Sequence, residues 1–454
     1  MSYRGNRGRG KSRGGGGGGG YINRGNSNHQ HNNDTSNIPS GPAPRFAPCK
    51  YFTSSGACTN KKCSFGHQVK LHGSIDASSP QPNNNNNNGN NGYNNNNNNN
   101  YNQNNVVAYA ISSVALWETT IPPASLKIFS GSHDGFWRLW NTAGGTFAKE
   151  FEHSMGPSAK ILQIEISNNH LFCAFEGLCN KVPKVAVGMI HVWNLSNPAD
   201  PPLEFHLDDG TGFSPYAAAR GVTAMVVDME PIVSGSRDGV IRCWRFDPTA
   251  KRFAVMNTLH GHAREISGLV VTTAANGSKI LWSSSIDRTM RLWDLESGKC
   301  QYLISADTKN ATGNVVGHTD AITSMLVWDG KEHGNFVLSA SLDGSVKAWS
   351  ANAECVASET HGQGVVSISL VNDASNRPLL MCGLENGNIM IRSVLQTQKT
   401  PAFCLLMTLS SRFTNVGHTN GPVKCIRAGP SATFYTGGND GKVNVWQVIG
   451  DFDL

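Results

Sequence analysis

The sequence predicts an all-β chain: a ring of repeated strand-rich units over residues 106–454, preceded by a short metal-binding finger and by low-complexity segments. Three observations carry this reading. A tryptophan recurs downstream of residue 106, in five units with an aspartate six positions ahead of it. That aspartate is followed by glycine in four of the five, a hairpin signal between two strands. Cys49, Cys58, Cys63 and His67 lie at metal-ligand spacing in a region otherwise free of cysteine.

Residues 1–44 form an Arg/Gly-rich tail. Arg-Gly or Arg-Gly-like steps at Arg4, Arg7, Arg9, Arg13 and Arg24 alternate with glycine runs, and almost nothing there could fill a core. Such a segment cannot offset its ordering entropy, so it is expected to be disordered. Residues 1–75 hold eleven Lys or Arg against the single acid Asp34, a net of +10. The whole chain carries 38 basic and 32 acidic residues, so the remaining 379 positions hold 27 and 31, a net of −4. The positive charge belongs to the N-terminus and favours a polyanion, most simply nucleic acid. Gly5–Ser12 matches the phosphate-loop pattern G-x-x-x-x-G-K-S, but no strand precedes it and glycines follow it. Amides cannot converge on a phosphate there.

Residues 45–72 read as the finger. Three thiolates and an imidazole suit tetrahedral Zn²⁺, whose binding supplies folding energy that so short a segment lacks. His72 is a weaker alternative fourth ligand. The arrangement resembles CCCH zinc fingers, and that resemblance implies single-stranded RNA as ligand, with DNA or protein as alternatives. Bases would stack on exposed aromatics and phosphates would meet cations. Tyr51 and Phe65 are the expected stacking residues, Lys50, Lys61 and Lys62 the expected cations, and Phe52 the expected core residue.

Residues 73–105 are an Asn-rich segment, read as a disordered linker separating the finger from everything downstream.

From residue 106 the repeat dominates. The five Asp-to-Trp units run Asp134–Trp140, Asp238–Trp244, Asp287–Trp293, Asp343–Trp349 and Asp440–Trp446. Three carry an upstream Gly-His, at His262, His318 and His418. Two degenerate units, ending at Trp193 and Arg392, bring the count to seven. Gly-His, turn Asp and closing Trp together resemble the WD-repeat signature. The resemblance implies a seven-bladed β-propeller in which His, a strand Ser or Thr, Asp and Trp form a structural hydrogen-bonded set. One finger leading into such a ring resembles the plant CCCH-type zinc finger proteins with WD repeats. Few residues follow Trp446, so an N-terminal strand is expected to complete the last unit, with Val106–Ala110 as candidate.

Propellers commonly recruit partners on the face that carries the turn before the third strand. His133, Arg220, Arg237, Arg264 and Asp320 are expected there, with three arginines converging into a basic spot for an acidic or phosphorylated protein segment. The combined reading is a non-enzymatic RNA-binding adaptor of the nucleus or cytoplasm, the nucleus favoured. It has no membrane and no small-molecule substrate, since no run of about 18 apolar residues and no catalytic motif in a credible context is present. A ubiquitin-ligase substrate receptor is the rival reading. The single Trp-Asp pair, Trp293-Asp294, is followed by Leu295-Glu296, with Glu where such receptors carry Arg.

Overall fold

The computed structural model describes residues 48–78 and 108–452, apart from 56, 61–62, 64–65, 120–124, 180–181, 209–211, 275, 331–333, 398–399, 412–416, 420 and 451. The Arg/Gly tail, its phosphate-loop look-alike, most of the Asn-rich segment, Lys61, Lys62 and Phe65 lie outside the described residues.

Seven four-stranded antiparallel blades succeed one another along the chain. They span residues 111–154, 160–208, 222–259, 266–304, 322–360, 365–409 and, for the last, 423–448 together with Val69–Asp76. Blades 2 and 3 are fused into one sheet. Their outer strands, Leu203–Asp208 and Arg252–Leu259, pair in parallel with Phe253 opposite Phe205, and the two rings stack 4.3 Å apart.

Each third strand ends on a large side chain because the core lies between blades rather than inside one. Trp282 and Met290 of blade 4, for instance, share a buried cluster with Ile322, Val337 and Trp349 of blade 5. Neighbouring innermost strands are also tied by hydroxyls. A β-bulge near the start of each turns one residue sideways. There Ser112, Thr223 and Thr323 donate to the carbonyls of Ile161, Ile266 and Val365 on the next blade, at 2.5–2.7 Å.

Ring closure differs from the sequence expectation. Val106–Ala110 does not supply the last edge. The outer strand of blade 7 is Val69–Asp76, antiparallel to Lys442–Val448, with Val69 opposite Val448 and Asp76 opposite Lys442. It wins because it buries Val69 and Ile75 completely or nearly so. Ala108–Ala110 offers only one large side chain, and the Ala110 carbonyl already accepts from the His133 amide. The finger boundary placed at residue 72 therefore falls inside a strand. The Asn-rich segment leaves beside Gly441, whose carbonyl accepts from Ala77, and returns at Ala108 against the same glycine. It is an insertion between blades 7 and 1, not a spacer between finger and propeller.

Candidate functional site

Cys49 opens the finger. The helix Lys50–Ser55 follows at once, its first turn closed by Thr53 N–H on the Cys49 carbonyl at 2.8 Å. The Cys49 amide donates to Gly66 at 2.8 Å, which returns His67 to the side of Cys49, and a turn from Asn60 to Cys63 presents the third thiol. The four ligand atoms of Cys49, Cys58, Cys63 and His67 all lie within 4.8 Å of one another. Tetrahedral zinc with thiolate bonds of about 2.3 Å needs an edge of roughly 4 Å. Two further observations fit a metal. The His67 Nε2 is buried and has no hydrogen-bond partner, which is costly for an imidazole unless that nitrogen has a ligand. Burial works against ionising Cys49, yet the Phe52 amide, the Cys63 and Cys58 thiols and the Tyr51 amide bring its thiol below the ordinary range. Phe52 stacks on His67 at 4.8 Å and orients the ring, as a core residue should. His72 is not part of the cluster. It lies exposed in the closing strand, edge-on to Phe147.

Around this cluster Tyr51 is 69% exposed and Lys50 is exposed. The finger stands against the propeller, because the Gln68 carbonyl accepts from Ile449 at 2.8 Å. The closing strand then runs from the Val448 end of blade 7 to its Asp440-Gly441 turn. The finger and the turns are thus at opposite faces of the ring.

The turns hold the structural sets. His262, His318 and His418 each bond an aspartate through Nδ1 and a strand hydroxyl through Nε2, at 2.8–3.0 Å: Asp287 and Ser283, Asp343 and Ser339, Asp440 and Thr436. The same hydroxyls accept from the indoles of Trp293, Trp349 and Trp446. Burial opposes ionisation of Asp287 and Asp343, but the hydrogen bonds they receive hold both well below the carboxylate range. Burial also lowers His318, more than Asp343 raises it. All three sets are fully committed to the fold.

Two of the five Asp-to-Trp units lack the histidine, and an arginine two residues before the tryptophan replaces it. Arg138 reaches Asp134 at 2.8 Å and Arg242 reaches Asp238 at 2.9 Å, each pair largely buried. In blade 4, where His262 already serves Asp287, the equivalent Arg291 lies toward Trp293 and Cys300 instead. In blade 6 Arg392, standing in the tryptophan position, is buried. It bonds His361 at 2.9 Å, Glu359 and two carbonyls. The sequence reading missed the roles of Arg138 and Arg242 because a basic residue before the tryptophan looks like ordinary strand solvation.

On the turn face, the amides of His133 and Arg237 donate to the carbonyls of Ala110 and Gly221, just ahead of the innermost strands of blades 1 and 3. The arginine triad is not a bare basic spot. Arg237 is held by Glu176 and, at 3.5 Å, by Glu265. Arg220, Arg264 and Asp320 are exposed. The exposed cations nearest His133 are Lys424 and Lys160, absent from the sequence reading. Burial, then Lys424, Lys160 and Arg237, push the His133 imidazole down to about 4. Lys424 had a signal: it occupies the bulge position that Ser112, Thr223, Ser267 and Thr323 fill in other blades.

Seven blades, three of them tied by His–hydroxyl–Asp–Trp sets, with a Cys₃His cluster at the foot of the closing strand, define a WD-repeat propeller preceded by a CCCH-type finger. A WD-repeat ring of this kind is a protein-interaction scaffold. The family described as "WD domain, G-beta repeat" matches residues 253–294, 310–350 and 409–447, the three stretches carrying the complete sets. The chain is similar, at 26% identity over 407 residues, to "Zinc finger CCCH domain-containing protein 17" of Oryza sativa subsp. japonica, covering 89% of this chain and 73% of that one. It is 25% identical to "Zinc finger CCCH domain-containing protein 62" of Arabidopsis thaliana, over 72% of this chain and 65% of that one. It is 24% identical to "Ribosome biogenesis protein YTM1" of Meyerozyma guilliermondii, over 50% of this chain and 60% of that one.

Proposed function

We propose that this chain is a zinc-dependent RNA-binding adaptor, in which the finger and the basic N-terminal residues hold single-stranded RNA while the propeller takes a protein partner. One observation carries the reading. The Cys₃His cluster lies beside an exposed aromatic, Tyr51, and an exposed cation, Lys50, at the end of the closing strand remote from the turn face. Stacking on a tyrosine and attraction to a lysine are what unpaired bases and phosphates require. Zinc, held by three thiolates and one imidazole, would fix the loop that carries them. The remote face leaves Lys160, Lys424, Arg220 and Arg264 free for an acidic protein segment, so RNA and protein need not compete. The names of the relatives, zinc finger and ribosome biogenesis proteins, support a setting in which RNA and protein partners coexist. A nuclear or cytoplasmic location fits this reading, with the nucleus favoured.

The test is photocrosslinking of the zinc-loaded full chain to uridine-rich single-stranded RNA, read by mass spectrometry. Crosslinks at Lys50–Tyr51 support the proposal. Crosslinks confined to the propeller would refute it. A preference for the equivalent DNA would retain the finger's role and change its ligand.

A further inference from the structure

A groove of about 750 Å³ lies between blades 1 and 2. Its floor is aromatic: Trp117, Trp137, Phe151 and Trp193, with Pro201 and Pro202 of the blade 2 loop as the far wall. Trp137 is the centre of the cluster, 5.4 Å from Phe151 and 5.6 Å from Trp193 between ring centroids. Phe151 is 51% exposed, in an outer strand whose other residues are polar or small.

Trp137 departs from the repeat. At the same place, three residues before the closing side chain, the other blades carry Ile190, Ile241, Met290, Val346, Ile389 and Val443. All six are buried aliphatics, so blade packing does not require an indole. Here the indole Nε1–H is buried without an acceptor. An unsatisfied buried donor opposes folding, and its presence calls for a partner outside the fold. The Trp117 indole, by contrast, is satisfied by Asn169 at 2.9 Å.

The polar inventory of the groove selects its occupant. It offers the unpartnered Trp137 donor and a mostly apolar floor, whose one polar side chain is the His153 imidazole against the Trp137 ring. An ordinary peptide backbone would bury N–H groups there without partners. A proline-rich segment brings carbonyl acceptors, few N–H groups and flat rings that pack on aromatic faces in a preformed extended helix. The rim is acidic. Glu150 is engaged by Lys127 at 2.6 Å, whereas Asp200 is exposed and makes no ion pair among the described residues. We propose that this groove seats a proline-rich segment of a protein partner, with Trp137 donating to one of its carbonyls and a basic residue of the segment meeting Asp200. The site goes beyond the RNA reading and does not depend on the finger.

The test uses the full chain and a fluorescein-labelled decapeptide of eight prolines between two arginines, read by anisotropy. Two control peptides replace the arginines by glutamates, or the prolines by alternating leucine and alanine. The arginine–proline peptide should bind tightest. Trp137→Phe, which keeps the ring and removes the donor, should weaken it about 2- to 10-fold, the range of one hydrogen bond. Asp200→Lys should remove the preference over the glutamate-flanked peptide. Phe151→Ser, at an exposed position where folding is not at stake, should weaken binding at least as much as Trp137→Phe. The proposal is overturned if the proline peptide fails to bind, if the leucine–alanine peptide binds as tightly, or if Phe151→Ser leaves the affinity unchanged.

Discussion

Val69, two residues beyond the metal-ligand candidate His67, lies opposite Val448 and begins the strand that closes the propeller. Finger and ring therefore share a continuous backbone with no spacer between them. The closing strand is also secured at its far end, where the buried Arg138 donates to the Ala77 carbonyl at 3.1 Å.

Truncation should reveal this division sharply. A chain lacking residues 1–67 should melt within a few degrees of the full chain. Removing residues 1–78 takes away Val69 and Ile75, each worth about 1.5–3 kcal/mol when fully buried. It also bares the edge of Lys442–Val448, so the shorter chain should self-associate. Thermal melts and sedimentation would show the difference. Two truncations that melt alike and remain monomeric would return the closing role to another segment.

The arginine that substitutes for histidine should behave differently from the arginine that does not. Arg138→Met leaves the Asp134 carboxylate buried with its principal counter-ion gone, which should cost about 3–5 kcal/mol. Arg291→Met, at the same register of blade 4, leaves Asp287 bonded to His262 and should cost less than about 1 kcal/mol. Urea unfolding of the two variants is the measurement, and equal losses would contradict the assignment.

These contrasts mark where the sequence was legible. His418, Asp440 and Trp446 could be read directly because a hydrogen-bonded set demands fixed residue types at fixed separations. The four residues of the Cys₃His cluster were legible for the same reason. The closing strand was not. Val69–Asp76 alternates weakly, contains Gly73, and pairs with residues some 370 positions away, beyond an Asn-rich stretch that suggested a boundary. Arg138 and Arg242 were invisible because only the absence of a distant histidine gives them their role. The salt-bridged state of Arg237 depends on Glu176 and Glu265 from neighbouring blades, which no local pattern announces. Trp137 could have been noticed by aligning third strands, where six aliphatics face one indole.

Acid should weaken the ring before it touches the aspartates. Burial, then the Arg392 charge, push His361 from 6.5 down to about 4, and Arg392 Nε donates to its unprotonated Nε2. The unfolded chain gains the proton first. The stabilisation is therefore full above pH 6.5 and is lost as pH falls from 6.5 through about 4. His133 adds in the same sense and window. Asp287 and Asp343, also lowered in the folded chain, contribute stability present above about 3.8 and lost at still lower pH. Unfolding free energy measured from pH 7.5 to 4.5 should fall, and His361→Gln should flatten the slope. An unchanged slope in that variant would place the titrating group elsewhere.

On the function proposed above, the metal-held finger grips single-stranded RNA. The direct measurement is anisotropy of a labelled single-stranded RNA with the zinc-loaded full chain, across a salt series, for the native sequence, Tyr51→Ala and Cys58→Ala. Affinity should fall steeply with salt, because phosphate contacts release counterions. Tyr51→Ala should weaken binding by the equivalent of one stacked base, about 1–3 kcal/mol, with the chain's net charge unchanged. Cys58→Ala should lose the metal and at least as much affinity. If both variants bind RNA as the native chain does, the basic tail alone accounts for the binding and the finger has another use.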